Sequence, residues 1–270
     1  MKVTVLVENT VYREGLIAEH GLSLLIEAGS RTILFDAGQT EALFHNARVL
    51  GADLSTVDTL VISHGHYDHI GGMRRFLNEN PSAKAVIADG AFAKRFSTAS
   101  GVSREAGIRD QSIEADFGGR FIRPGKMLDL GGGLFITGEV SSTAKEPVHN
   151  KNLFIETDGE AVPDGFRDEI YLVFREADGI HIVSGCSHKG ILNILSHIAG
   201  LFPGTPILSL TGGMHWRGSP ASELDTVARR LAGYSIRSLR LLHCTGAAEA
   251  AYIKQKTGMN IRYSSSGDTF

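Results

Sequence analysis

The sequence of 270 residues is short of cysteine, of net charge and of long apolar runs, and each shortage removes a class of protein. Its two cysteines, Cys186 and Cys244, are too few for a disulfide scaffold. Far apart in the chain and each beside a histidine-bearing segment, they read as buried thiols, as one ordinary disulfide, or as neighbours of a metal site. A formal net charge of -3 gives no electrostatic footprint for nucleic acid or an anionic membrane. The opening MKVTVLVENT reads at once as a strand, and no apolar stretch suits a signal peptide or a membrane span. The expectation is a cytoplasmic protein with neither membrane nor nucleic acid as a partner. What remains is globular composition, 42% hydrophobic and 21% charged, enough to bury a large core.

Hydrophobic patterning divides the chain into two similar halves. Val3 to Val7 and LSLLIE from Leu22 read as strands, and Gly29-Ser30 turns the chain into TILF, a hairpin signal. A helix is predicted over residues 41–50 with Gly51 as its stop, followed by the buried strand VDTLVIS. Residues 91–123 are polar and glycine-punctuated, which suggests an inserted excursion with one or two short helices acting as a lid or pocket wall. Residues 141–165 read as a loop. IYLVF and IHIVS form a second hairpin, GILNILSHIA and residues 221–231 are helical, ILSL is a strand, and Leu239 to Leu242 is read as the final core strand. This pattern fits two mixed sheets with helices outside, and no linker separates independent domains.

Chemistry concentrates where VDTLVIS ends. Ser63 to Gly72 reads SHGHYDHIGG, so His64, His66, Asp68 and His69 place four strong ligands within six residues. Neutral imidazoles and carboxylates suit zinc, iron or manganese. Asp68 and His69 are adjacent and can point at different positions, serving a second ion. Two ions need more ligands than this loop supplies. Three late histidines follow strands: His188 in GCSHKG, His215 in GGMHW and His243 in LHCTG. Strand ends are where a sheet presents side chains to a shared crevice. Cys186, in the turn of His188, is a fourth candidate. His20, His45, His149, His181 and His197 read as surface or satisfied core groups, with His149 in a polar loop able to fold over the site. Asp36, after the strand in LFDAG, is expected to orient a ligand histidine through its far ring nitrogen, or else to cap a turn.

HGHYDH with the upstream LFDAG resembles the metallo-β-lactamase fold signature, HxHxDH preceded by a strand ending in aspartate. The resemblance runs over essentially the whole chain. It implies an α/β fold, a four-layer αββα sandwich of two mixed β-sheets flanked by helices, in one domain over residues 1–270, with metals at one edge between the sheets. It implies His64 and His66 at a first ion, Asp68 and His69 at a second, and His243 as the last ligand. The chain departs from the pattern at Gly185-Cys186-Ser187-His188, where relatives commonly carry Gly-Asp. Either Cys186 bridges or His188 supplies a ligand from the same turn; His188 is favoured, because a bridging thiolate would soften a hard site. The usual mid-chain ligand histidine has no obvious match, so His188, Asp168 or Glu169 is expected to stand in. TGEV, GCSHKGI, GGMHW and LHCTG narrow the resemblance to the branch of 7,8-dihydropterin-6-yl-methyl-4-(β-D-ribofuranosyl)aminobenzene-5'-phosphate synthase-like proteins. That branch name implies condensation with displacement of pyrophosphate rather than hydrolysis.

The resulting expectation is a metal-dependent hydrolase or transferase acting on a phosphorylated or pterin-like small molecule. Its cofactor would be one or two divalent transition-metal ions, zinc first, with manganese or iron as alternatives. Asp68 and His215 are the expected catalytic residues: Asp68 orients a water activated by the ions, and His215 donates to an oxyanion. His215, Trp216 and Lys189 are expected to face the substrate, with Lys189 or Arg217 adding charge for a phosphate. The rival readings are the synthase, as a transferase, and a metal-binding sensor without turnover.

Overall fold

Strands that are apolar on both faces belong in sheets covered on both sides, and the computed structural model, which describes residues 1–270, contains two such sheets. In the first, β1 (Lys2–Val7), β2 (Ser23–Ala28) and β3 (Arg31–Phe35) form an antiparallel meander. Helix α1 (Ala42–Leu50) carries the chain to β4 (Thr59–Ile62), parallel to β3. The short α2 (Tyr67–Ile70) and α3 (Met73–Glu79) then lead to β5 (Lys84–Ile87), parallel to β4. The chain leaves the sheet through β6 (Arg95–Ser97), β7 (Arg104–Glu105) and α4 (Ile113–Phe117), and returns as β8 (Phe121–Ile122) beside β5.

The second sheet opens with β9 (Met127–Gly131) and β10 (Leu134–Gly138). Next, β11 (Leu153–Thr157) and β12 (Glu160–Pro163) join β6 and β7 in a small third sheet. The hairpin of β13 (Ile170–Glu176) and β14 (Gly179–Ser184) rejoins β10. Helix α5 (Ile191–Leu201), β15 (Ile207–Gly212), α6 (Ala221–Leu231), β16 (Ile236–Leu241), α7 (Ala247–Thr257) and β17 (Ile261–Tyr263) follow. Strands β14 to β17 are parallel neighbours.

Three apolar clusters separate four layers, as expected for an αββα sandwich. In β3, Ile33 and Phe35 join the cluster between the sheets, while Leu34 joins the cluster beneath α1 and α3. The alternation follows from the two-residue period of a strand. Phe76 on α3 is 1% exposed, and its burial contributes roughly 1.5–3 kcal/mol. Gly51 ends α1 as predicted: at φ 70° its N–H donates to the Arg48 carbonyl and the next amide, Ala52, to the Ala47 carbonyl, a left-handed turn that costs glycine nothing. The outer face of the second sheet packs against α5, α6 and α7.

The structure departs from the sequence reading in three places. The loop expected at 141–165 holds β11 and β12, whose residues are mostly half-buried or exposed and lack a buried-strand signature. The excursion at 91–123 contributes strands as well as α4. Leu239 to Leu242 is not the last core strand, since β17 adds beyond β16; at three residues it is too short to announce itself.

Candidate metal centre

Four strand ends meet at one edge of the sandwich: the loop after β4, and the turns after β14, β15 and β16. The sheets must approach closely there. A Cβ on Gly185 would stand 2.1 Å from Ser63 Oγ, so only glycine allows the two turns to touch. Asp36, Ser187, His215 and His243 all adopt positive φ, between 51° and 61°, in a region that non-glycine residues rarely occupy. Such conformations persist where surrounding structure over-determines them, commonly at functional sites.

The donor atoms converge in overlapping groups, each with its atoms within 4.8 Å of one another. His64, His66 and His188 form one. His64, His69 and Cys186 form another, and His20, Asp68 and His243 a third. Cys186 also falls in groups with His188 and His215, and with His243 and Cys244. Asp68 Oδ2 lies 3.2 Å from His20 Nε2, 3.3 Å from His243 Nε2 and 3.7 Å from His69 Nε2. Cys186 Sγ is 3.2 Å from His69 Nε2. Both cysteines are free, which removes the disulfide reading.

Most of these rings are oriented from behind. His69 Nδ1 contacts Asp36 Oδ2 at 2.7 Å, and Asp36 also accepts from the Ser63 amide and hydroxyl, at 2.7 and 2.8 Å. Asp36 therefore holds a site histidine by its far nitrogen, as expected. His188 Nδ1 meets Asn150 Oδ1 at 3.2 Å and His243 Nδ1 meets Asn9 Oδ1 at 2.7 Å. Phe166 stacks flat on His188, with ring centres 4.2 Å apart. The Gly65 amide, between His64 and His66, donates to Asp168 Oδ2 at 2.8 Å, and Asp168 pairs with the buried Arg95 at 2.8 Å. Arg95, from β6, also binds Asp164 at 2.9 Å.

Burial keeps His64, His66 and His188 in their metal-binding protonation state. Desolvation, followed by neighbouring imidazoles, holds His64 and His188 well below the ordinary histidine value, and His66 is lowered to about 3. For His69 burial acts in the same direction, but the Asp36 and Asp68 charges outweigh it and raise the pKa. Asp68 stays well below the usual carboxylate range: burial opposes ionisation, and the histidines around it overcome that cost. His66 Nε2, His188 Nε2 and His215 Nδ1 are buried without any hydrogen-bond partner. Orphaned buried nitrogens are costly, and neutral imidazoles with free lone pairs are the donor set that suits a transition metal. The residues fit such an ion.

A cavity of about 250 Å³ opens onto this floor. His215 lines it, and so does His149. Trp216 does not face it: 2% exposed, it packs into the cluster between the second sheet and its helices. Its position directly after His215 suggested otherwise, but the backbone turns the indole inward. Lys189 is also directed elsewhere, with its ammonium held by Glu146 at 2.9 Å and the Gly165 carbonyl at 3.2 Å. Asp168 and Glu169 are not ligand candidates either. Asp168 is committed to Gly65 and Arg95, and Glu169 accepts from the His188 and Lys189 amides, at 2.6 and 2.9 Å, and from Tyr171. Sequence reasoning missed His20, which sits alone in a polar stretch, and the supporting Asn9 and Asn150, which carry no pattern at all.

Comparison with known proteins agrees with this architecture. The profile of the metallo-beta-lactamase superfamily matches residues 16–169. The 7,8-dihydropterin-6-methyl-4-(beta-D-ribofuranosyl)-aminobenzene-5'-phosphate synthase of Methanocaldococcus jannaschii is 28% identical over 247 residues, covering 87% of this chain and 84% of that protein. The crystal structure of Tm1679, a metal-dependent hydrolase of the beta-lactamase superfamily, superposes with a TM-score of 0.85 at 28% identity, covering 100% of this chain and 98% of the other. The Zn(2+)-bound PqqB of Methylobacterium extorquens shares the fold, with a TM-score of 0.59 at 12% identity, covering 100% and 99% of the two chains.

Proposed function

The chain belongs to the metallo-beta-lactamase superfamily, and on that footing we propose that it is a metal-dependent enzyme acting on a phosphorylated small molecule. The observation that carries this reading is the convergence of buried, mostly neutral donor groups beneath a cavity of about 250 Å³. We assign His64, His66 and His188 to a first ion, and Asp68, His69 and His243 to a second, with zinc first among the candidates. His188 supplies the ligand for which the motif offers no other histidine. Cys186, beside His69, stands on the side of the second group. When bound, the metal supplies Lewis acidity toward a phosphoryl oxygen and acidifies water.

The chain's own residues do the rest. Asn9, Asn150 and Asp36 fix three imidazoles, so the donor set is arranged before any ion arrives. Asp68, ionised at neutral pH, is assigned to orient the attacking group, and it shares one oxygen with His20 and His243. His215 is assigned to the substrate, since its ring lines the cavity with Nδ1 unpartnered. Residues 91–123 supply part of the wall through Ala99, Arg104 and Ala106, and we take the whole chain as one functional unit.

Metal content per chain, by elemental mass spectrometry on protein purified without added metal or chelator, tests the assignment. His188→Ala should lose about one ion and lower phosphoester turnover at least about a thousandfold, because several kcal/mol of charge stabilisation disappear. Cys186→Ala should retain the first ion. Unchanged metal and turnover in His188→Ala would sink the assignment. The second reading, a transferase, is favoured by the similarity to the M. jannaschii synthase. Product analysis separates it from hydrolysis: incorporation of oxygen from labelled water marks the hydrolase.

A further inference from the structure

Resting on the phosphorylated-substrate reading, we propose that Arg104 and Arg217 form an anion subsite at the cavity mouth that receives a phosphoryl group of the substrate. Both line the cavity, Arg104 from the inserted β7 and Arg217 from the turn after β15, and both are exposed. Neither side chain has a carboxylate partner. Arginines nearer the core are occupied, Arg95 by Asp164 and Asp168 and Arg120 by backbone carbonyls; Arg104 and Arg217 are the two arginines that line the cavity. Charge balance points the same way. Asp68 is the sole carboxylate among the residues lining the cavity, and it is already surrounded by histidines.

A third group reinforces the pair. His149 lines the same cavity, and its Nε2 is buried without a partner. A Cβ on Gly218, the residue after Arg217, would lie 3.6 Å from that nitrogen, so the imidazole sits against the Arg217 turn. Two guanidiniums and an imidazole from three chain segments provide more positive charge and more donors than a single carboxylate uses. They match a phosphate dianion or a diphosphate, whose tetrahedral oxygens accept from several directions. A cavity of about 250 Å³ suits a small molecule rather than a polyanionic strand. Of the two residues expected to add charge for a phosphate, Lys189 is neutralised by Glu146 and Arg217 lines the cavity, where the inserted Arg104 joins it.

Titration calorimetry on the metal-containing protein, with inorganic pyrophosphate as the probe and no added divalent cation, tests the subsite. Arg104→Gln and Arg217→Gln should each weaken Kd about tenfold, the worth of one charge-assisted hydrogen bond. Arg230→Gln, exposed on α6, is the control and should leave Kd unchanged. Arg104→Lys should fall between, keeping charge without the fork. Because both arginines are exposed, unaltered thermal melts should accompany each variant. No binding to wild type, or equal Kd in all variants, overturns the subsite. Parallel assays of a phosphomonoester separate the two claims. Absence of turnover with arginine-dependent pyrophosphate binding defeats the enzymatic reading and upholds the subsite. Turnover with a KM indifferent to both substitutions does the reverse.

Discussion

On the floor of the cavity, His69 on α2 and His188 and His243 in the turns after β14 and β16 are each held from behind by a buried or half-buried polar partner. The wall around them is built otherwise. Its strands β6, β7, β11 and β12 are short, its tip carries the exposed Val102, and Arg104 reaches the cavity with no carboxylate partner. Rigid scaffolds keep several ligands in register, while exposed hairpins tolerate change, so chemistry and recognition are assigned to different parts of one chain. The difference teaches that the floor is preorganised by hydrogen bonding and the wall is tuned by charge.

That contrast breaks most severely at the one side chain that belongs to both parts. Arg95→Leu should destabilise the protein by about 3–5 kcal/mol, because it strands the buried Asp164 and Asp168 without their partner. Urea denaturation measures this, and a loss below about 1 kcal/mol would show that the ion pairs contribute little. Asp36→Ala should come next, with metal affinity reduced roughly 10- to 100-fold as His69 loses its anchor. Competition with a chelator of known affinity reads that change directly.

A smaller and pH-dependent effect is expected at Glu169. Burial raises its pKa from 4.5 to about 7, against hydrogen bonds from Tyr171 and the amides of Lys189 and His188. The folded protein therefore keeps this proton to higher pH than the unfolded chain, and stability from this group falls as pH climbs from about 4.5 to about 7. Glu169→Gln lacks that titration, so its stability relative to wild type should improve between pH 5 and pH 8 in metal-free protein, by about 1 kcal/mol or more. Parallel stability curves would contradict the buried carboxylate. The least effect belongs to the wall's tip: Val102→Ser should stay within about 0.5 kcal/mol of wild type in Tm-derived stability, since the side chain is 71% exposed.

How much of this was legible follows the same divide. HGHYDH and the strand-end histidines could be read because a buried strand has a strong pattern and ligand residues are chemically distinctive. The two-sheet architecture was readable from hairpins and alternating apolar segments for the same reason. Asn9 and Asn150 were not, because an asparagine that props an imidazole looks in sequence like any loop asparagine. Trp216 and Lys189 misled because proximity in sequence to His215 and His188 does not fix the direction of a side chain at a turn. The third sheet escaped notice since β6 and β11 find their partners across nearly sixty residues, beyond any local period.

The Arg95–Asp168–Gly65 chain bears on how such a protein can diversify. The excursion that shapes the cavity wall also anchors the peptide between His64 and His66. It is therefore not a detachable module: a descendant that trimmed β6 to admit a bulkier substrate would slacken its own ligand loop. Change is cheap on the far side of that anchor, from Ser100 to Ser103, where the exposed hairpin tip can lengthen or shorten without reaching the floor. The keystone arginine marks the border between inheritance and experiment.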